Sequence, residues 1–597
     1  MKGIKNSIFV VLLFITFQTI GKEAISYRLS MPEPHTHYFE VEMTLEDFNE
    51  KSIDVKIPVW APGSYLVREF AKNIEVFAAK DSDGNDLESY KIDKNTWRIE
   101  KGNSKLVKVR YNVYAYEMSV RTSFLDADHG YLNGTSVFMY VDQYKDVPSK
   151  LVIDPYEEWK VVSTGLPKID EGEWAYLAED YDQLVDCPIE IGNHKEIAFE
   201  VAGIPHTIAM YGPGNYDEEK LKTDFTRIIN GLTEIFGSNP NENYVFIVHN
   251  LTKGDGGLEH KNSTTLNVNR WTYAPWSSYK SFLGLVAHEY FHLWLVKRIR
   301  PVELGPFNYD EENYTSLLWV MEGFTSYFSQ LILCHLGYIQ EYDFIKMLSD
   351  NYTAIESSPG NDIQPVSMAS FDAWIKAYRP NENSGNATIS YYQKGMVLGS
   401  LLDVLIVAKS EGQHNLGDVL RDLYGEIYLK TDKGITEEDM KQALEKYSKT
   451  NLDEFFDHYV NGSEEIDYTQ FLSLAGLNIE KKVVEEDKIS LGLSLSDSGG
   501  KTVVKRVTKN SPGWKYGINV DDEIIAVDGF RVNSSEIKKI LRNKEFGEQI
   551  SVLVSRDNIL KTLKVTLEET DSFYFHITQD KNSTKQEDRI LTKWLKN

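Results

Sequence analysis

From about Ile25 to Glu200 hydrophobic and polar residues alternate with a period of two, in runs separated by turn residues. The runs "HYFEVEMTL", "SIDVKIPVW", "KLVKVRYNVYAY", "GTSVFMYVD" and "HKEIAFEVAG" each place β-favouring side chains on one face. Several such strands without helical periodicity predict an N-terminal β-sandwich-like domain over residues 22–200. The period then changes. Residues 201–472 open with strands ("HTIAMYG", "NYVFIVHN") and continue with amphipathic stretches around 279–299, 315–337, 390–409, 415–428 and 436–446. Strands followed by helices predict an α+β domain. A third change comes at residues 473–570, where "LGLSL", "TVVKRV", "SPGWKYGINVDDEIIAVDGFRV", "QISVLVSR" and "LKTLKVTLEE" predict a small β-rich module with one or two helices. The segment 571–597 carries a strand-like "SFYFHI" and ends in "ILTKWLKN".

The first 21 residues fit none of these patterns. Lys2 and Lys5 precede an apolar run from Ile8 to Phe17, and Thr19 and Gly21 supply small residues for cleavage. The run is about half the ~20 residues a spanning helix needs. The expectation is a cleaved signal peptide at 1–21, export to a periplasmic or extracellular space, and no stable membrane span afterwards.

Composition changes the picture in two places. A formal charge of −26 argues against nucleic acid as a partner. The only two cysteines, Cys187 and Cys334, lie in different predicted domains, which excludes a disulfide framework and favours two buried free thiols over one bridge. Otherwise 42% apolar and 26% charged residues describe an ordinary globular chain.

The chemistry is concentrated in "GLVAHEYFHLWLV", residues 284–296. On a helix, positions i and i+4 share a face, so His288 and His292 can reach one ion while Glu289 stands beside it as a general base. So short a pattern also arises by chance, and a catalytic zinc needs a third protein ligand. The next helical run, "SLLWVMEGFTSYFSQLILCHL", holds one acidic residue, Glu322, among apolar neighbours. Burying a lone carboxylate there is costly unless a cation pairs with it. His260 and His335 are further possible ligands, read more simply as polar side chains. The cations of "VKRIRP", Lys297, Arg298 and Arg300, suit a helix C-terminus and are read as structural.

"HEYFHLWLVKRIRP", followed by "WVMEGFTSY", resembles the gluzincin metallopeptidases with their thermolysin-like catalytic domain, and most closely the M61 glycyl aminopeptidases. "GGLEH" (256–260) resembles the exopeptidase motif on an edge strand ahead of the zinc helix, "YYQKG" (391–395) the tyrosine segment, and "WAPGSYLVREF" the N-terminal β-domain of that family. The resemblance implies one Zn2+ ion on His288, His292 and Glu322, with Glu289 as base. It implies Tyr392 as the donor to the developing oxyanion, with Tyr391 as alternate, and Glu259 with Gly256 and Gly257 as binders of the substrate's amino end. Leucine and histidine flank Glu259 where the larger aminopeptidase family has methionine and asparagine. "LGLSL" with "SPGWKYGINVDDEIIAVDGFRV" resembles a PDZ domain, whose Gly492 loop and neighbouring strand could take a peptide C-terminus or an added strand.

The sequence therefore predicts an exported zinc aminopeptidase acting on peptides, with small N-terminal residues such as Gly and Ala implied by the resemblance. Two other readings stay open: a zinc endopeptidase that does not use Glu259 for an amine, and a catalytically inactive protein that binds peptides through its PDZ domain.

Overall fold

The computed structural model describes residues 24–484, 488–570 and 572–596. The expected signal peptide lies outside them. Among the described residues no helix is long and apolar enough to cross a membrane.

The N-terminal domain is built from a nine-stranded and a four-stranded sheet. Strand Tyr38–Glu46 shows why the alternating pattern works: Phe39, Val41, Met43 and Leu45 are buried while Glu40 faces solvent. Its neighbours on either side are Ile25–Ser30 and Leu106–Tyr114, both antiparallel to it. Leu29, Val41 and Val109 from the large sheet share one core with Leu132, Val162 and Ile189 from the small one. This is the sandwich that the pattern predicts.

The second domain opens earlier than its pattern suggests. Lys195–Val201, read above with the first domain, forms a hairpin with Ile204–Tyr211 and begins a five-stranded sheet. Tyr244–Leu251 and Ser263–Asn269 follow in parallel, and the short strand Gly257–Glu259 closes the sheet as an antiparallel edge. The helices Leu318–His335 and Tyr391–Lys409 fall within two of the predicted stretches, and Trp276–Phe291 overlaps a third, 279–299, but starts and ends earlier. Two long helices absent from that reading are Glu218–Phe236, started by an Asp217 cap and buried along Leu221, Phe225, Ile228 and Leu232, and Glu341–Glu356.

Two helices of this domain touch backbone to backbone. A Cβ on Gly323 would stand 2.4 Å from Gly395 Cα, and one on Gly395 would stand 2.1 Å from the Trp319 carbonyl oxygen. Only glycine at both positions lets Leu318–His335 and Tyr391–Lys409 cross so closely.

The PDZ-like sheet comprises Leu493–Ser498, Lys501–Val507, Glu523–Val527, Phe530–Arg531, Gln549–Arg556 and Ile559–Thr566 around its own core. It sits between two strands that pair with each other, Leu477–Val483 and Phe573–Gln579. The segment after residue 571 packs back onto the second domain: Trp594 is buried and its indole N–H donates to the Tyr327 hydroxyl at 2.7 Å. Cys187 and Cys334 are both free and buried.

A buried clasp joins the first two domains. Glu190 accepts from His129 Nδ1 at 2.7 Å and from His249 Nε2 at 2.9 Å, and the other nitrogen of His249 lies 2.8 Å from Asn267 Oδ1. The His129 ring stacks on Tyr211 at 3.4 Å. Burial works against the Glu190 charge, but the His129 and His249 charges and their hydrogen bonds outweigh it and hold the carboxyl at about 2. Glu190→Gln is expected to cost about 3 kcal/mol near neutral pH, because it removes a carboxylate charge that the fold holds well below its ordinary pKa. Since the folded-state pKa is depressed, this contribution is complete above the unfolded value of about 4.3 and is lost as pH falls toward the folded one. Denaturant unfolding of wild type and variant from pH 6 downward checks it: the gap in stability should close below about pH 4.

Candidate metal centre and active site

Three side chains from two helices converge. His288 Nε2 and His292 Nε2 lie 3.0 Å apart, and each lies 3.3 Å from Glu322 Oε2. A tetrahedral zinc with bonds of about 2.0–2.1 Å holds its ligand atoms about 3.3 Å apart, so the triangle has the size the ion needs. The donor set agrees, since two imidazole nitrogens facing each other beside a carboxylate offer lone pairs that only a cation or protons can satisfy.

The histidine helix ends earlier than its apolar run. It stops at Phe291, His292 caps it, and the residues to Ile299 wind into irregular buried turns with Val296 at φ +93°. Unwinding frees carbonyls, and His292 Nδ1 bonds one of them, that of Leu295, at 2.9 Å. That contact fixes the tautomer and turns Nε2 toward Glu322. The basic residues of "VKRIRP" serve the same irregular segment. The Arg298 guanidinium donates to Leu293 O at 2.6 Å and Asn241 Oδ1 at 2.7 Å, Lys297 pairs with Asp186 at 2.6 Å, and Arg300 reaches Asp432 O at 3.3 Å. None of the three lines the cavity over the triad.

That cavity has a volume of about 600 Å3 and brings together His288, His292, Glu322, Glu289, Glu259, Gly256, Gly257 and Tyr392. Glu289 is buried, and its Oε2 has no hydrogen-bond partner among the described residues. Burial pushes its carboxyl up to about 8; the Glu259 and Glu322 charges push the same way, against the pull of His292 and Arg121. A bound cation reverses that balance. Burial opposes a charge on His292, yet Glu322 raises its pKa to about 10, while Glu322 itself is held low by the two histidines. This is ion-pair behaviour, and a metal replaces the shared proton.

Glycines make room for the carboxylates. A Cβ on Gly257 would lie 2.3 Å from Glu289 Oε1, and one on Gly63, at φ +84°, would lie 2.5 Å from Glu259 Oε1. Gly256 meets nothing, so the backbone of the edge strand is open there. Tyr392 is half-buried and stacks over His288 at 6.4 Å between ring centroids. Tyr391 is a core residue behind it, outside the cavity lining. His260 bonds Asp186 through Nδ1 and His335 bonds Trp594 O, so neither joins the triad. The sequence reading missed Arg121, brought in by the first domain, and Lys280, on the same helix face as His288; Gly63 lay inside a quoted motif without a role of its own.

Residues 26–193 match the Peptidase M61 N-terminal domain, 281–398 match M61 glycyl aminopeptidase, and 490–567 match a PDZ domain. A crystal structure of an aminopeptidase N family protein from Idiomarina loihiensis is 30% identical. It aligns over 96% of this chain and 100% of its own, with a TM-score of 0.88. The chain belongs to the M61 glycyl aminopeptidase family. A comparison with curated proteins gives no match. A more distant similarity is to an M1 zinc metallopeptidase variant from Deinococcus radiodurans bound to a Tyr-Ser-Ala substrate, with 14% identity, 74% of this chain and 94% of that one covered, and a TM-score of 0.48. Membership of the M61 family makes the protein a metallo-aminopeptidase, with zinc as the cofactor the family implies. The M61 catalytic match spans His288 to Tyr392; Glu259 lies in the segment between the two M61 matches.

Gly257→Ala tests the packing argument. The added methyl must displace the Glu289 carboxylate or the edge strand, and a misplacement of that kind costs about 10²-fold in rate. The expected outcome is such a fall in kcat with zinc content unchanged, read by elemental analysis beside peptide hydrolysis.

Proposed function

We propose that this protein is an exported aminopeptidase with one zinc ion per chain, removing single small N-terminal residues from peptides. The observation that carries the reading is the buried Glu259 carboxylate. It sits at the end of an open edge strand, with its oxygen, one of Glu289 and a nitrogen of His292 all within 4.8 Å of one another. A carboxylate so close to the reacting centre suits an α-ammonium one residue away from the scissile bond.

His288, His292 and Glu322 would hold the zinc ion, which when bound would supply a Lewis acid toward water and the scissile carbonyl. Glu289 accepts a proton from the attacking water and hands it to the leaving amine. The Tyr392 hydroxyl donates to the carbonyl oxygen as charge grows there, already held by the stacking of its ring on His288. Gly256 and Gly257 pair with the extended substrate through their free backbone edge.

One ion is favoured over two by a contrast between clusters. Among the described residues, the other buried group outside this cavity that could ligate a metal, His129, Glu190 and His249, has N···O separations of 2.7 and 2.9 Å, which are hydrogen bonds rather than ligand edges. The preference for Gly and Ala rests on the family, and export rests on the pattern of residues 1–21. As a partner site, the PDZ domain offers Leu493–Ser498 at one end of its sheet order beside Gly492 at φ +68°, which suits a peptide C-terminus or an added strand.

The test is a matched pair of free and N-acetylated Ala- and Gly-terminated peptides, hydrolysed by protein of known zinc content. Turnover of the free-amine peptides alone supports the reading. Internal cleavage of acetylated peptides moves it to endopeptidase, and no cleavage across a peptide library moves it to PDZ-based binding. Glu289→Gln is expected to keep zinc and lose at least about 10³-fold in kcat, and Glu259→Ala to raise KM chiefly for free-amine substrates.

A further inference from the structure

The cavity contains a cation whose charge nothing in the reaction uses. Arg121 lines it, and among the described residues no hydrogen bond or ion pair engages its guanidinium; its Nε is buried and unpartnered. Three carboxylates line the same space, but Glu322 faces the two histidines, Glu289 packs against Gly257, and Glu259 lies over Gly63. An arginine left unpaired beside three acids is available to an anion that arrives from outside.

The backbone that carries it is fixed in advance. The turn carrying it is closed by Thr122 N donating to Ser119 O, by Thr122 Oγ1 donating to Glu117 O at 2.7 Å, and by Arg121 N donating to Ser119 Oγ at 3.2 Å. The Tyr131 hydroxyl donates to Val120 O at 3.1 Å and lies 3.0 Å from Thr265 Oγ1. Thr265 is the register partner of Leu258 on the edge strand. The turn is thereby tied to the strand along which a substrate would lie, and the charge of Arg121 is felt at Glu289. Lys280, the other cation of the cavity, stands two helical turns before His288, about 12 Å along the axis.

We infer that Arg121 binds a substrate carboxylate, the C-terminal carboxylate of a short peptide. With Glu259 holding the amino end, the site grips both termini and favours short peptides, since both groups line one cavity and each extended residue adds about 3.3–3.6 Å. This rests on the aminopeptidase reading above.

The experiment compares Ala-Ala-Ala, its C-terminal amide, and Ala-Asp-Ala amide, using zinc-loaded full-length protein. In wild type kcat/KM should be about tenfold or more higher for the free acid than for the amide. Arg121→Met should bring that ratio close to one, Arg121→Lys should restore part of it, and Lys280→Met should keep it. A wild-type ratio near one, an equal loss on acid and amide in Arg121→Met, or a collapse of the ratio in Lys280→Met overturns the inference. If Ala-Asp-Ala amide matches the free acid and loses that rate in Arg121→Met, the carboxylate can come from a side chain, and selection for short peptides is overturned. Calorimetric binding of the same peptides to Glu289→Gln, with and without Arg121→Met, reads the acid preference without turnover. Acid-selective binding in the absence of hydrolysis by wild type would sink the aminopeptidase reading while leaving the Arg121 contact standing.

Discussion

The catalytic architecture depends on one steric constraint, the contact between the backbones of Leu318–His335 and Tyr391–Lys409 at Gly323 and Gly395. Gly323 follows Glu322 directly, and Gly395 lies three residues beyond Tyr392. Because the two helices meet without side chains between them, the glutamate of one and the tyrosine of the other reach the same cavity above the histidine helix. A methyl group at either glycine would separate the helices, and with them Glu322 from the tyrosine ring.

A second requirement is the early end of the histidine helix. A continuing helix would commit the Leu295 carbonyl to its own ladder; the turn after Phe291 gives that carbonyl to His292 instead. Leaving the helical path exposes other buried carbonyls, and Arg298 satisfies that of Leu293. A sequence that looks like a basic helix terminus is the internal support of the turn that orients His292.

Much of this was legible beforehand, for identifiable reasons. The strands of the first domain could be read because one face of each is buried, and the residues of the triad because helical spacing and an isolated acid in an apolar run are local signals. Glu218–Phe236 carries a readable cap and apolar stripe of its own. The end of the histidine helix at Phe291 was not readable, since the apolar run continues and the break depends on tertiary partners. Lys195–Val201 went to the wrong side of a boundary because a strand's own pattern does not name its sheet. Arg121 had no local signal at all: it reaches the cavity from another domain, through a turn tied to the edge strand by Tyr131. Gly63 sat in plain view, but its meaning, the room it leaves for Glu259, exists only after folding.

The return of the chain after the PDZ domain carries a further consequence. Strand Phe573–Gln579 pairs with Leu477–Val483, Ser349 donates to the Phe575 carbonyl, and Trp594 seals against Tyr327 on the very helix that bears Glu322. The PDZ domain is thus an insertion within the perimeter of the catalytic domain rather than an appendage hung on its end. The two cannot be inherited or exchanged by a simple cut between them: a deletion from Leu477 onward removes a wall of the hydrolase, whereas excising residues 490–567 and rejoining the paired strands leaves that wall whole.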